Sequence, residues 1–156
     1  ELLRDGEMVI TYPGGARDSI KGRHRRYRLQ WRGRNGFAHV ALKAGAPVVP
    51  VAGLGPDDAF PIQSNEGILS MPFLGDKSYK VPLFLPFARP VPFEFRFGEP
   101  ILPPEPFRSG EEDPEPEDVD TFADRVRGDL QTMLDGGRPA PEPLLDLVSA
   151  LLDKLK

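Results

Sequence analysis

Nineteen prolines and sixteen glycines in 156 residues limit what this chain can fold into more than any other feature. Proline removes a backbone donor and fixes φ, and glycine loses the most conformational freedom on ordering, so both weaken long helices and central strands. Long stretches must therefore be irregular, with short regular elements between turns. One compact domain fits this length, and two would be cramped. The hydrophobic fraction of 39% still allows a buried core. The absence of cysteine excludes disulfides and thiolate chemistry, and only two histidines argue against a dedicated metal site. No apolar run approaches the roughly 20 residues a membrane-spanning helix needs. The start, Glu1-Leu2-Leu3-Arg4-Asp5-Gly6, has no initiator methionine and no signal-peptide pattern, and reads as the tail of a helix cut mid-protein. The chain is expected to be a fragment.

A net charge of -4 conceals an asymmetry. Arg17, Lys21, Arg23, Arg25, Arg26, Arg28, Arg32 and Arg34 face one acid, Asp18, within an eighteen-residue arm. From Glu105 to Asp120 the balance reverses, with Arg108 the lone cation. The basic arm, following a glycine turn, suggests an anionic ligand or an anionic membrane surface. The acidic, proline-interrupted stretch, about 103–117, is most simply a solvated linker.

Met8 to Tyr12 is a short β-branched and apolar run stopped by Pro13-Gly14-Gly15, and predicts a buried strand ending in a tight turn. Asn35 is placed to cap a helix with Phe37, Val40, Ala41 and Ala44 on its apolar face and Gly45 as its left-handed stop. Val48-Val49-Pro50-Val51 follows as a second strand, with Pro50 expected at a strand end or bulge. Strand, helix, strand with short joints predicts a right-handed βαβ unit. The expected fold class is therefore α/β, the C-terminal part of a mostly parallel sheet flanked by helices, with long irregular segments. Val51 to Val91 is expected to be one such segment. Val91 to Phe97 alternates, placing Phe93, Phe95 and Phe97 on one face and Glu94 and Arg96 on the other, and predicts a half-exposed strand ended by Gly98. Asp118 or Asp120 is placed to cap a helix with Val119, Phe122, Val126, Leu130 and Met133 on one face. Residues 1–136 form one domain portion in this reading, and 137–156 a linker and an amphipathic helix carrying Leu144, Leu147, Val148, Leu151 and Leu155.

The segment that carries chemistry is Tyr12-Pro13-Gly14-Gly15-Ala16-Arg17-Asp18-Ser19. A glycine pair after a strand lets backbone N–H groups approach a ligand, and Arg17 can hold phosphate or carboxylate oxygens through its planar fork. A turn that merely needs glycine is the simpler alternative.

Three blocks in order make a more specific pattern: P-x-G-x-R at Pro13 to Arg17, the run Gly36-Phe37 through Ala44-Gly45-Ala46-Pro47-Val48-Val49-Pro50-Val51, and Gly98-Glu99-Pro100-Ile101. Together they resemble the lysophosphatidate and glycerol-3-phosphate acyltransferase superfamily over roughly Gly6 to Leu134. The resemblance implies acceptor binding by Pro13, Gly14, Gly15 and Arg17, and an acyl or acceptor pocket near Val48, Val49, Pro50 and Val51. It implies an acyl thioester donor, acyl-CoA or acyl carrier protein, a lipid alcohol acceptor and no further cofactor. Gly14 stands where that family usually has glutamate. The Pro-Gly-Gly-x-Arg version, with Gly55-Pro56-Asp57-Asp58-Ala59-Phe60, is similar to the branch of diacylglycerol acyltransferases and phytyl ester synthases, which acylate neutral alcohols. In the superfamily a His followed five residues later by an Asp supplies the base that activates the acceptor hydroxyl. Here Leu29 follows His24 and Ala44 follows His39 at that spacing, so no catalytic residue is assigned, and the chain alone is expected to be inactive.

Two other function classes compete. Tyr27 and Trp31 among the arm's cations could grip nucleic acid, but the acidic overall balance argues against it, so no nucleic-acid partner is expected. A non-catalytic lipid- or anion-binding remnant is the other. The apolar, proline-broken run Ile68 to Phe87, including Leu83, Phe84 and Leu85, is expected to meet a membrane surface from the cytoplasmic side, with cover of a sheet edge as the alternative. Lys77, Lys80 and Arg89 flank it.

Overall fold

The computed structural model describes residues 1–70, 80–85 and 87–155. In chain order it contains α1 (Ala16–Ser19), α2 (Gly36–Ala44), β1 (Val51–Leu54), β2 (Gln63–Ser70), β3 (Lys80–Phe84), β4 (Glu94–Phe97), α3 (Pro116–Asp135) and α4 (Pro143–Leu152). Short 3-10 turns at Arg23–Arg25, Pro56–Asp58, Glu105–Phe107 and Asp153–Leu155 punctuate the irregular parts.

The α/β class holds, but the parallel sheet is corrected. Among the described residues both ladders are antiparallel, β1 with β4 and β2 with β3. Met8 to Tyr12 is not a strand, and Met8, Ile10 and Tyr12 lie exposed. Without that neighbour, β1 takes its hydrogen bonds from the returning β4, in the register Val51 to Phe97 and Leu54 to Glu94. The expected strand at Val48–Val51 shrinks accordingly. Only Val51 belongs to β1, while Val48 makes a single antiparallel bridge to Ile101, with N–O distances of 3.0 and 2.8 Å. Pro50 sits just before β1 and needs no donor there; its carbonyl accepts the Gly98 N–H at 2.9 Å.

The expected irregular stretch after Val51 also contains the β2–β3 hairpin, whose alternation is masked by proline. Pro82 lies opposite Gly67 where the register shifts, a bulge position that spares it a ladder donor. Of the apolar run, Met71, Pro72, Phe73, Leu74, Lys77 and Pro86 fall outside the described residues.

Helix α2 starts after Asn35 and stops at Gly45, whose φ of 63° is the left-handed closure its sequence predicts. Its face is rotated from expectation: Ala38, Ala41 and Leu42 are buried and Val40 is exposed. Helix α3 starts earlier than Asp118, at a reciprocal box in which the Glu115 and Asp118 side chains each accept the other's backbone N–H. Its stripe Val119, Phe122 and Val126 packs on Trp31 and Leu42 in the main core, while Leu134 meets Tyr27, Ala52 and Leu54 in a second cluster. Fully burying a Phe or Leu stabilises by about 1.5–3 kcal/mol, so α3 is the element that gives α2 and β1 a common floor.

Two expected apolar faces turn outward. Phe95 and Phe97 of β4 are 65% and 73% exposed, beside the exposed Val51 of β1. On α4 the Leu144, Leu147 and Leu151 stripe is exposed, and the buried side chain is Ser149, whose hydroxyl donates to the Leu145 carbonyl. Among the described residues no helix is long and apolar enough to cross a membrane.

Candidate functional site: a carboxylate-braced basic arm

The glycine block folds as its composition demands. Gly15 has φ 54° and starts α1, with its N–H donating to the Tyr12 carbonyl at 3.0 Å. Gly14 is buried beneath the Asp18 carboxylate, and a Cβ there would fall on that group. Asp18 Oδ1 accepts the Gln30 N–H at 2.6 Å, stitching the glycine turn to the far end of the arm. Burial raises the Asp18 pKa, with the Gln30 donor acting against it.

The basic arm is not one solvated stripe. Arg23 and Arg26 are buried, held by acids from distant parts of the chain. Arg23 donates through Nε to Asp146 at 2.7 Å, through Nη1 to the Pro61 carbonyl at 2.9 Å and through Nη2 to Glu142 at 3.3 Å. Arg26 pairs with Asp58 and reaches Glu142 at 3.6 Å; burial lowers its pKa. The turn at Asp57–Asp58 braces the same arm from below. Asp57 Oδ2 accepts the Tyr27 N–H at 2.6 Å and pairs with Lys21 at 3.0 Å. Asp58 Oδ2 accepts the Tyr27 hydroxyl at 2.5 Å, and the Tyr27 oxygen accepts the Gly55 N–H at 3.2 Å. Arg89 then ties Asp58 to the proline linker: Nε donates to the Asp58 carbonyl at 3.0 Å, and Nη1 and Nη2 to Glu142 at 2.7 and 3.3 Å. Hydrogen bonds from Arg89 lead the effects that hold Glu142 down at about 2.

Among the predicted site residues, Arg17 lines a cleft of about 190 Å³ with Lys21, Arg25, Arg32 and Lys80. Val48, Val49, Pro50 and Val51 contribute nothing to its walls: Val48 packs on the core, Pro50 is buried, and Val49 and Val51 are exposed. Leu83 is half-buried, while Phe84 and Leu85 are exposed and the Phe84 ring meets that of Phe60 at 5.9 Å, tilted by 56°. His24 accepts Arg25 Nε at 3.1 Å, and His39 lies exposed on α2. Among the described residues no three His, Cys, Asp or Glu side chains gather as a metal cage.

Sequence reading missed the bracing acids. Asp57 and Asp58 stood out as a motif without a role, and Glu142 and Asp146 not at all. The available signal was stoichiometry: eight cations in eighteen residues cannot all stay solvated beside a core, so acids elsewhere must answer them.

Residues 2–72, which include both the glycine block and the Asp57–Asp58 turn, match the diacylglycerol acyltransferase family model. An uncharacterized protein of Mycobacterium tuberculosis (strain H37Rv) is 33% identical over 142 residues, covering 85% of this chain and 38% of its own length. Phytyl ester synthase 1, chloroplastic, of Arabidopsis thaliana is 31% identical over 125 residues, 65% of this chain and 18% of that protein. The DGAT1/2-independent enzyme synthesizing storage lipids of Mus musculus is 29% identical over 156 residues, 99% of this chain and 42% of that protein. The chain thus spans well under half the length of these relatives. No solved structure matches it. Taken together, the similarities support the diacylglycerol acyltransferase-like branch of lipid acyltransferases as what this chain is similar to.

Proposed function

We propose that this chain is part of an acyltransferase, and that the intact protein moves a fatty acyl group from a thioester carrier, acyl-CoA or acyl carrier protein, to a lipid alcohol. One coincidence carries the reading. The matched segment, residues 2–72, holds two motif blocks forty residues apart, and the arm joins them through Asp18, Asp57 and Asp58. In the reaction, the acceptor oxygen bonds to the acyl carbon, the carbon–sulfur bond breaks, and the hydroxyl proton passes to a base and from it to the departing thiolate, which leaves as the thiol. The family's His–Asp pair would supply that base from upstream of the glycine block, so the chain alone is inactive in this proposal. Arg17 orients the acceptor. A neutral lipid alcohol fits best, because Gly14 replaces the family's glutamate. The exposed Phe60, Phe84, Leu85 and Phe87 support peripheral contact with a membrane surface, which this reading places on the cytoplasmic side.

The test is ester formation by the intact protein from labelled acyl-CoA or acyl carrier protein and a diacylglycerol or long-chain alcohol. Arg17→Ala should lower turnover by about 10- to 150-fold, the loss of a charged contact of about 1.5–3 kcal/mol, with unchanged melting. Lipid binding without ester formation from either donor would instead establish a non-catalytic remnant.

A further inference from the structure

One face of the β1–β4 ladder lies on the core, and the other is apolar and uncovered among the described residues. Ala52 and Leu54 of β1 are buried with Tyr27 and Leu134, while Val49, Val51 and Gly53 alternate with them on the outside. Residues directly opposite in an antiparallel pair share a face, so Phe97 joins Val51 and Phe95 joins Gly53 on that outer side. Phe93 continues the alternation just before β4 and is exposed as well. Glu94 and Arg96 stand opposite Leu54 and Ala52 and close on each other, Arg96 Nε donating to Glu94 at 2.6 Å. An antiparallel sheet with one solvated face ordinarily turns apolar residues inward and polar residues outward. β4 does the reverse, and its phenylalanines point away from the core.

Two glycines flatten this face. A Cβ on Gly53 would lie 3.5 Å from the Phe95 ring and one on Gly55 3.3 Å from the Phe93 ring, so each ring leans over a residue without a side chain. The area then distinguishes the possible covers. A whole aromatic side chain buries about 200 Å², and Phe93, Phe95 and Phe97 are 59%, 65% and 73% exposed. With the partly exposed Val49 and Val51, the face leaves about 500 Å² of apolar surface in water. A stable interface between separate chains takes about 800 Å² from each partner, because association also costs translational and rotational freedom. A segment tied to the same chain avoids that cost. The relatives matched over 85% and 99% of this chain are themselves covered over only 38% and 42%, so more than half of each lies outside these residues.

We propose that the outer β1–β4 face is an internal docking surface, covered in the intact protein by a segment from outside these 156 residues. That segment presents aliphatic or aromatic side chains and no unpaired charge, since a charge set on this face would lose its water without gaining a partner. The inference rests on the reading of the chain as part of a longer acyltransferase, but its readout needs no turnover, so the two fail separately.

Hydroxyl-radical footprinting of the intact protein in lipid-free solution, read peptide by peptide by mass spectrometry, tests this on the unmodified sequence. Phe95 and Phe97 should be oxidised at least about 5-fold more slowly than in the urea-unfolded protein, as side chains at the centre of an apolar contact are shielded from water. Phe87, which is 67% exposed, should react nearly as fast folded as unfolded. Phe95 and Phe97 reacting as readily as Phe87 overturns the proposal. Protection lost on dilution to a monomer overturns it in favour of a second copy, and protection that appears only with phosphatidylcholine vesicles overturns it in favour of a lipid surface. Stability gives an independent reading. Phe97→Ser should lower the melting temperature of the intact protein by at least about 4 °C, the effect of emptying a packed site, while Phe87→Ser leaves it unchanged. Equal melting of parent and both variants overturns the docking surface. If Phe97→Ser does not fold, the footprint of the parent decides.

Discussion

The Tyr27 hydroxyl donates to Asp58 at 2.5 Å across thirty-one residues of sequence, and this buried contact fixes the basic arm on the turn before β2. Tyr27 itself has φ 59°, a left-handed conformation costly for a residue with a Cβ. The contacts on both its ends offset that cost: Asp57 takes its N–H, Asp58 its hydroxyl, and Gln131 donates to its carbonyl at 2.7 Å. Tyr27→Phe keeps the ring and removes the hydroxyl, leaving the Gly55 N–H without its acceptor. Denaturant unfolding should show a loss of about 1.5–3 kcal/mol. A loss under about 0.5 kcal/mol would mean that ring packing alone holds the arm.

Glu142 gives the fold an acid-sensitive clasp. Its pKa is lowered to about 2 by Arg89 and Arg23, below the ordinary 4.5, so the ionised form favours the folded state. The stabilisation is full above about pH 4.5 and is lost as pH falls toward 2. The side chain is partly exposed, so solvent screening reduces the contribution to about 1 kcal/mol or less. Asp18 works in the opposite direction: burial raises its pKa, so its ionisation above the ordinary 3.8 costs stability. Comparing parent with Glu142→Gln at pH 6 and pH 3 isolates the clasp. The difference in unfolding free energy should shrink by more than half at pH 3. A constant difference would refute it.

Position 14 tests why the turn takes glycine rather than a side chain. Gly14→Glu would set a Cβ on the Asp18 carboxylate and add a like charge beside it. Asp18 cannot swing away without giving up the Gln30 N–H. Overpacking of this kind costs about 1–3 kcal/mol, and Gly14→Glu/Asp18→Ala should recover part of it. Melting curves of the two variants decide, and a single variant as stable as its parent would show that the turn simply shifts.

What was legible in the sequence was local. The α2 stop at Gly45, the stripe of α3 and a strand ended by Gly98 each follow from a few neighbouring residues. Strand direction was not, because Val48 to Val51 is apolar in either pairing and the partner, β4, lies more than forty residues on. The apolar outer faces of β4 and α4 inverted for a related reason. Periodicity reports that two faces differ, not which one finds a neighbour. The glycine turn before Arg17 was legible, whereas the bracing of the arm by Asp57, Asp58 and Glu142 depends on contacts that no short window contains.

Membrane contact at the end of β3 is the last expected outcome. Phe84 and Leu85 are exposed, as are Phe60 and Phe87, and the Arg89 N–H donates to the Ala59 carbonyl at 2.9 Å. Three aromatic rings and a leucine in water form a patch of the kind that marks an interaction surface, and each side chain moved into a headgroup boundary contributes about 1.5–3 kcal/mol at full burial. Leu83 is less suitable for mutation, because it is half-buried and its N–H donates to Ser64 Oγ at 2.9 Å. The variant is therefore Phe84→Ser/Leu85→Ser/Phe87→Ser in the intact protein, compared by flotation on vesicles of neutral and anionic lipid. Flotation should fall sharply while far-UV circular dichroism stays unchanged. A folded variant that still floats would exclude this patch. The exposed stripe Leu144, Leu147 and Leu151 on α4 would then be the surface to substitute next, since it presents three leucines on one helix face.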